Sequence, residues 1–302
     1  MNTEEKSALL CDTLIGACEL PLSQGDTAAT KTNRSSDIIY FTDPICSSCW
    51  GIEPQLRKLK IQYGDQINLA YRMGGLLPDW SYNSGGISKP SDVYHHWREV
   101  SAYYQMPIDG SVWLNDPLAS SYPPSIAFKA AQIQDPSKAL SFLRYIREMV
   151  FVHNQNIAKW EHLRIAALAV GLDPELLQQD MGNSASEAFE KDLTLSRTHG
   201  VRGFPTLLFI NSKGEEKRLY GSQPYTTFEQ LLAWAAPKPL IRSALPTDET
   251  LFKIYPTWTA KEWSIVKDIS FEKAISELNS YTSAGQLEAI TIETGVLWKV
   301  RN

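Results

Sequence analysis

Three things are scarce in this sequence of 302 residues, and each scarcity excludes a class of protein. Only four cysteines are present, too few for the dense disulfide scaffold of a small secreted domain. No run of about 18 apolar residues occurs, so the sequence predicts no membrane-spanning helix. Lys and Arg number 29 against 34 Asp and Glu, a formal net charge of −5. No general attraction to nucleic acid or to anionic lipid is therefore expected.

The composition is that of a folded globular protein. Apolar residues make up 43% of the chain and charged residues 21%, far from the composition of unfolded chains. At roughly 150 residues per domain, the length predicts about two domains. The N-terminus begins with acidic residues, and its short apolar stretch is interrupted by Asp12, unlike a secretory signal. A faint lipoprotein-like pattern before Cys18 is the alternative, and we expect a cytoplasmic protein without membrane association.

The order of the hydrophobic patterns predicts two sheet-forming segments separated by helices. Ile38–Phe41 has the pattern of a buried strand, and it is followed by a helix to Tyr63 and a second strand over Ile67–Arg72. Helical periodicity then dominates residues 91–182. After a further helix, the strand Thr206–Ile210 begins a hairpin, and another helix follows. The sequence therefore predicts the order β-α-β, helical insertion, α-β-β-α, with a right-handed crossover in the first unit.

Cys46 and Cys49 form a Cys-x-x-Cys pair where the first strand passes into a helix. The unsatisfied N–H groups at the start of the helix stabilise a thiolate at Cys46 and lower its pKa below the ordinary value of about 8.5. The spacing of two residues brings Cys49 close enough to attack a mixed disulfide formed at Cys46. These residues predict a nucleophilic thiol, Cys46, and a resolving thiol, Cys49.

Three motifs together resemble the thioredoxin superfamily, and more closely its DsbA-like branch. They are the segment Phe-Thr-Asp-Pro-Ile-Cys-Ser-Ser-Cys-Trp ending at Trp50, the helix-kinking Pro54, and Phe204-Pro205-Thr206. The resemblance implies a cis-proline at Pro205 opposite the cysteines, where exposed backbone pairs with a substrate peptide. It gives Cys46 and Cys49 as the catalytic residues and Trp50, Phe204 and Pro205 as the substrate-binding ones.

The resemblance covers about residues 37–236 and divides the chain into parts. An α/β thioredoxin-like fold with an inserted all-helical domain and a C-terminal winged-helix-like module is expected. The predicted parts are a flexible extension over 1–36, a thioredoxin-like domain over 37–90 and 183–236, a helical insertion over 91–182, and a winged-helix-like domain over 243–302.

The last sixty residues carry the pattern of the winged-helix-like module. Thr259 and Glu262 form a capping box that begins one short helix, Ser270 begins a second, and a two-stranded ribbon follows. The candidate recognition helix, Phe271–Ser283, carries a net negative charge that would repel phosphate. We therefore expect the module to contact a protein client rather than nucleic acid.

Several residues keep two interpretations at this stage. A half zinc site at Cys46 and Cys49 is disfavoured, since a second ligand pair is missing from the sequence. Cys11 and Cys18, seven residues apart on one face of a possible helix, are either a second redox pair or two free thiols. Asp43 either relays a proton for Cys49 or accepts a hydrogen bond in the Asp-Pro turn, which is favoured.

Structural roles are expected for the remaining chemistry-bearing side chains. The histidines are not spaced from carboxylates or cysteines in the way that is typical of a metal site. They are His95, His96, His153, His162 and His199. The aromatic loop Trp113–Tyr122 either packs in the core, which is favoured, or lines a groove over Cys46. We expect no metal and no cofactor.

Two hypotheses about function follow. The first is a cytoplasmic thiol-disulfide oxidoreductase or isomerase that acts on protein or small-molecule disulfides through Cys46 and Cys49. The second comes from a cytoplasmic branch of the same family, the SpxH (YjbH)-type adaptors, which present a client transcription factor to the ClpXP protease. These adaptors resemble the chain in the Asp-Pro-x-Cys-x-x-Cys-Trp motif, in the helical insertion and in a further C-terminal domain.

Overall fold

A computed structural model describes residues 11–12, 17–19, 36–81 and 87–301. Its strands are β1 (Cys11–Asp12), β2 (Ala17–Glu19), β3 (Ser36–Thr42), β4 (Ile67–Met73), β5 (Gly203–Phe204), β6 (Thr206–Ile210), β7 (Glu216–Tyr220), β8 (Thr257–Thr259), β9 (Leu287–Ile292) and β10 (Gly295–Val300). Its helices are α1 (Ser47–Gly51), α2 (Glu53–Tyr63), α3 (Pro90–Tyr104), α4 (Val112–Asn115), α5 (Tyr122–Gln134), α6 (Pro136–Phe151), α7 (Trp160–Ala169), α8 (Pro174–Met181), α9 (Ser184–Thr198), α10 (Tyr225–Ala235), α11 (Asp248–Ile254), α12 (Ala260–Lys267) and α13 (Phe271–Ser283). A short 3₁₀ helix, Gly64–Gln66, joins α2 to β4.

A mixed sheet of four strands in the order β4-β3-β6-β7 positions the site. The β3 and β4 strands are parallel and are joined by α1 and α2, as the predicted β-α-β unit requires. The β6 strand pairs antiparallel with both β3 and β7. Almost every β3 residue is buried or nearly so, as expected of a strand covered on both faces. The predicted thioredoxin-like fold is thus confirmed.

The predicted helical insertion is present as a run of helices from α3 to α8. Local sequence explains where these helices begin, since proline stands in the first turn of α6 and of α8. The side chains of Asp135 and Asp173 accept hydrogen bonds from the first backbone N–H groups of the two helices, which would otherwise be unsatisfied. The short helix α4 overlaps the aromatic loop, for which the sequence predicts no helix.

The C-terminal residues build a second, smaller core around three tryptophans, Trp258, Trp263 and Trp298. The predicted capping box of Thr259 and Glu262 begins α12, and Ser270 caps α13. A helix, α11, and a strand, β8, precede them and were not predicted; β8 joins the ribbon in a sheet of order β8-β10-β9. The winged-helix assignment and the domain boundaries remain predictions.

The expected helical placement of Cys11 and Cys18 is wrong. The two residues lie opposite each other in an antiparallel pair of strands, β1 and β2. Tertiary pairing explains the difference, because β2 also pairs with β5, and a strand edge offers hydrogen bonds that local periodicity does not reveal. The rest of the predicted flexible extension up to Ser35 lies outside the described residues.

Candidate functional site

The two cysteines of the motif stand at the junction of β3 and α1. Cys46 is the N-cap of α1, and its Sγ accepts a hydrogen bond from the backbone N–H of Cys49 at 3.1 Å. Cys46 and Cys49 form a disulfide with a Cα–Cα distance of 5.1 Å. On reduction, the same N–H group favours the thiolate of Cys46, because a hydrogen bond to the charged form stabilises it. The two sulfurs therefore lie at the start of a helix, where the backbone favours the anionic form of Cys46; exchange with a partner remains a prediction.

The helix that follows the cysteines is broken near Pro54, as the family resemblance implies. The α1 helix ends at Gly51, and α2 begins at Glu53 with Pro54 in its first turn. Proline is tolerated there because its missing N–H would have no intrahelical partner. Gly51 is required by a close approach: a Cβ atom at this position would lie 2.3 Å from the ring of Tyr104. The break and the glycine together fix α1 against the helical insertion.

The peptide bond between Phe204 and Pro205 is cis, as the resemblance implies. Thr206, the next residue, pairs with Phe41 of β3, so Pro205 lies beside the end of the strand that leads into Cys46. The ring of Phe204 is buried and occupies the space that a side chain at residue 74 would need: a Cβ on Gly74 would lie 1.8 Å from it. The backbone of Phe204, rather than its side chain, thus forms the edge at which another strand pairs, and β2 occupies that edge.

Trp50, the residue after Cys49, is fully buried and packs against the helical insertion. Its indole N–H donates a hydrogen bond to the Pro107 carbonyl at 3.1 Å, and its ring stacks on Phe151 with 5.5 Å between ring centroids. The guanidinium carbon of Arg144 lies 4.3 Å from the centroid of the Trp50 ring, which is a cation–π geometry. A direct contact of Trp50 with a substrate remains a prediction.

Both carboxylate oxygens of Asp43 are occupied by donors other than Cys49. One accepts from the backbone N–H of Ile45 at 3.1 Å, and the other accepts from Leu76 N–H and from the Ser121 hydroxyl, both at 2.8 Å. Burial raises the pKa of Asp43 to about 6, although these hydrogen bonds oppose the shift. The structure therefore favours the turn interpretation: Asp43 ties the turn before Cys46 to the end of β4 and to the helical insertion.

Arg147 is a residue of the site that the sequence analysis missed. It lies on α6, is 1% exposed, and donates to the Thr42 hydroxyl at 2.6 Å, the Asp43 carbonyl at 3.2 Å and the Glu53 carboxylate at 2.5 Å. It thus joins the end of β3 to the start of α2 on either side of the cysteines. The available signal was its position in the apolar stripe of α6, where a charged residue needs a partner.

A buried ion cluster attaches the C-terminal module to this region. Glu262, which is fully buried, lies 3.1 Å from Arg57 of α2 and 2.6 Å from Arg144 of α6. Burial alone would raise the pKa of Glu262, but the two arginines reverse the shift and hold it below the ordinary value. Arg57 also donates to the carbonyl of Thr257 at 2.7 Å. The cluster joins α2, the helical insertion and the C-terminal module at one point.

The aromatic loop has a structural role, whereas the structural roles expected for the histidines remain predictions. Trp113 is buried between Trp80 and Trp97, at 5.9 and 5.3 Å between ring centroids, so the aromatic loop packs in the core. Within the described part of the chain, we find no group of three metal-ligating side chains. Over that same part, no helix is both long and apolar enough to cross a membrane.

Comparison with known proteins gives one family and two kinds of relative. The thioredoxin family profile Thioredoxin_5 matches residues 40–230. The ClpXP adapter protein SpxH of Halalkalibacterium halodurans is 32% identical over 295 residues, 96% of each chain. SpxH of Bacillus subtilis is 30% identical over 271 residues, covering 87% of this chain and 88% of the relative. The cytosolic disulfide reductase DsbM of Pseudomonas aeruginosa is 22% identical with a TM-score of 0.55, covering 66% of this chain and all of that one; this likeness shows a shared fold.

Proposed function

Because the chain belongs to the thioredoxin-fold family of the SpxH adapter proteins, we propose that it is an adaptor that presents a client protein to the ClpXP protease. The client class implied by the family resemblance is a transcription factor. The proposal includes the cytoplasmic location that is predicted from the sequence.

The extent of the match supports the adaptor over a disulfide reductase. The reductase fold accounts for 66% of this chain, whereas the SpxH relative from Halalkalibacterium halodurans extends over 96% of it. The additional match includes the C-terminal module, which the Glu262 cluster attaches to α2 and α6. A module held by buried charges offers a client a fixed surface, which lowers the entropic cost of binding.

Burial of the cysteines supports the same proposal. Both Cys46 and Cys49 have 0% exposure, whereas an exchanging thiolate must reach its partner. The thioredoxin-like domain would then act mainly as a scaffold for the module.

Degradation by reconstituted ClpXP tests the proposal. The substrate is the client transcription factor of the Bacillus subtilis adapter, and its loss is followed with and without this chain. We expect faster degradation with the chain, and an equal rate with the Cys46→Ser, Cys49→Ser variant, because delivery needs the surface and not the thiols. A degradation rate that does not change when the chain is added would refute the adaptor function.

One observation favours a second function, that of a thiol-disulfide oxidoreductase. The Cys46–Cys49 disulfide lies at a helix start beside a cis-proline, and Cys49 N–H donates to the Cys46 sulfur at 3.1 Å. After glutathione has reduced the pair, the Cys46 thiolate would attack the substrate disulfide and expel one substrate sulfur as a thiolate. Cys49 would then attack the mixed disulfide, which releases the second substrate sulfur and re-forms the Cys46–Cys49 disulfide. Insulin reduction with glutathione as the electron source tests this function: turnover that is lost in Cys46→Ser supports it, and absence of turnover in the native chain refutes it.

A further inference from the structure

The backbone edge beside the cis-proline is already occupied by the chain itself. The β2 strand pairs antiparallel with β5, so that Cys18 stands opposite Phe204 and Glu19 stands opposite Gly203. Phe204 is the residue before cis-Pro205. An extended segment that adds to a strand edge in this way is the binding mode of a peptide ligand. The segment Ala17–Glu19 is therefore a resident peptide at the redox site.

The residue that this segment places at the site is a cysteine. Cys18 is opposite the last residue before the cis-proline, and Thr206, just after that proline, is opposite Phe41 in the strand that leads to Cys46. Residues directly opposite each other in an antiparallel pair have Cα atoms roughly 4.5–5.5 Å apart. The register thus brings Cys18 to the end of the sheet where the Cys46–Cys49 disulfide lies.

A second cysteine, Cys11, lies on the strand next to Cys18. Cys11 is opposite Cys18 in the β1–β2 pair, and the small sheet has the order β1-β2-β5. Opposite positions in a strand pair fall within the Cα separation of roughly 4.4–6.8 Å that a disulfide requires. Cys11 is also one strand, about 4.8 Å, farther than Cys18 from Phe204. The order of approach to the redox site is therefore Cys18 first and Cys11 second.

We propose that Cys18 and Cys11 exchange a disulfide with Cys46 and Cys49 within one chain. The thiolate of Cys18 attacks the sulfur of Cys46, the Cys46–Cys49 bond breaks, and Cys49 leaves as a thiolate. The thiolate of Cys11 then attacks the sulfur of Cys18, which forms the Cys11–Cys18 disulfide and releases Cys46 as a thiolate. Two electrons pass from the N-terminal pair to the motif, and the two thiol protons pass through solvent to Cys46 and Cys49.

In this exchange, which we call the relay, the reaction partner of the buried Cys46 belongs to the same chain and does not have to reach it from solvent. Cys46 has 0% exposure in the folded chain, yet a tethered thiol in the neighbouring strand has a high effective concentration. The inference goes beyond the adaptor function and does not depend on it. Its test is a covalent linkage within the chain, whereas the adaptor function is tested by client degradation.

Two matched full-length variants test the relay. The first carries Cys11→Ser and Cys49→Ala, leaving Cys18 and Cys46; the control carries Cys18→Ser and Cys49→Ala, leaving Cys11 and Cys46. Each is equilibrated in a buffer of reduced and oxidised glutathione, and the monomer is mapped by mass spectrometry without reduction. We expect the Cys18–Cys46 linkage to exceed the Cys11–Cys46 linkage by about ten-fold, because Cys11 is a strand farther away.

The same comparison in urea gives the reference ratio. The separations from Cys46 are 28 residues for Cys18 and 35 for Cys11, and loop-closure entropy then favours Cys18 by only about 1.4-fold. Damage from Cys49→Ala is common to both variants and cancels in their ratio. A native ratio well above the urea ratio supports the relay. A native ratio equal to the urea ratio, a preference for Cys11, or no linkage in either variant would overturn it.

Discussion

Replacing Glu262 by Gln should weaken the attachment of the C-terminal module to α2 and α6. The glutamine keeps the size of the side chain but removes the charge that Arg57 and Arg144 share at 3.1 and 2.6 Å. Glu262 is fully buried, and removing one partner of a buried ion pair costs about 3 kcal/mol or more. We expect the free energy of unfolding to fall by about 3 kcal/mol. With roughly 2.1 cal/mol/K per residue over 302 residues, the melting temperature falls by about 5 °C.

Urea unfolding followed by tryptophan fluorescence measures this change. Three of the nine tryptophans, Trp258, Trp263 and Trp298, lie in the module's core, so its unfolding contributes to the signal. The control is Glu249→Gln, which breaks an ion pair with Lys253 in which the two side chains are 79% and 71% exposed and should cost less than about 0.5 kcal/mol. A loss below about 1 kcal/mol in Glu262→Gln would refute the view that this cluster holds the module.

The pH dependence of the same variant has a definite sign. The folded pKa of Glu262 lies below its ordinary value of 4.5, so the folded state binds its proton more weakly than the unfolded state. The stability from this group is present above about pH 4.5 and is lost as the pH falls through the folded pKa. The deficit of Glu262→Gln should therefore shrink below pH 4.5, and a deficit that grows there would contradict the assignment.

Two further substitutions test the site itself. Burial raises the pKa of Asp43 from 3.8 to about 6, so its contribution to stability falls by about 2 kcal/mol as the pH rises from 4 to 6; urea unfolding of Asp43→Asn should lack this dependence, and an unchanged pH profile would refute the burial argument. Gly74→Ala would place a Cβ 1.8 Å from the Phe204 ring and should lower the free energy of unfolding by about 1–3 kcal/mol, measured by thermal unfolding. The control, Gly64→Ala, has nothing within 4 Å of the added Cβ and should be close to neutral. Equal effects of the two substitutions would contradict the tight packing at Gly74.

Local sequence was sufficient where local chemistry determines the structure. The strand before Cys46 and the capping box of Thr259 and Glu262 are predicted from the residues themselves, because strand patterns and caps act within a few residues. The break at Pro54 is implied by the family resemblance. The cis bond at Pro205 was predicted from the family resemblance.

The rest depends on contacts that are distant in sequence. Arg147 reaches the cysteine turn across more than a hundred residues, and nothing in its local pattern names that partner. The α11 helix and the β8 strand are short, and β8 is stabilised by pairing with β10. The β2 strand likewise depends on β5. Strand pairing of this kind is decided by the tertiary structure rather than by propensity.

The most direct test of the adaptor function measures both candidate activities in one sample. Client degradation by ClpXP and insulin reduction by glutathione are followed together, for the native chain and for Cys46→Ser. We expect the native chain and the variant to accelerate degradation equally, since the delivery surface does not include the buried Cys46 thiol. Degradation that is unaffected by either protein, together with insulin reduction by the native chain alone, would contradict the account.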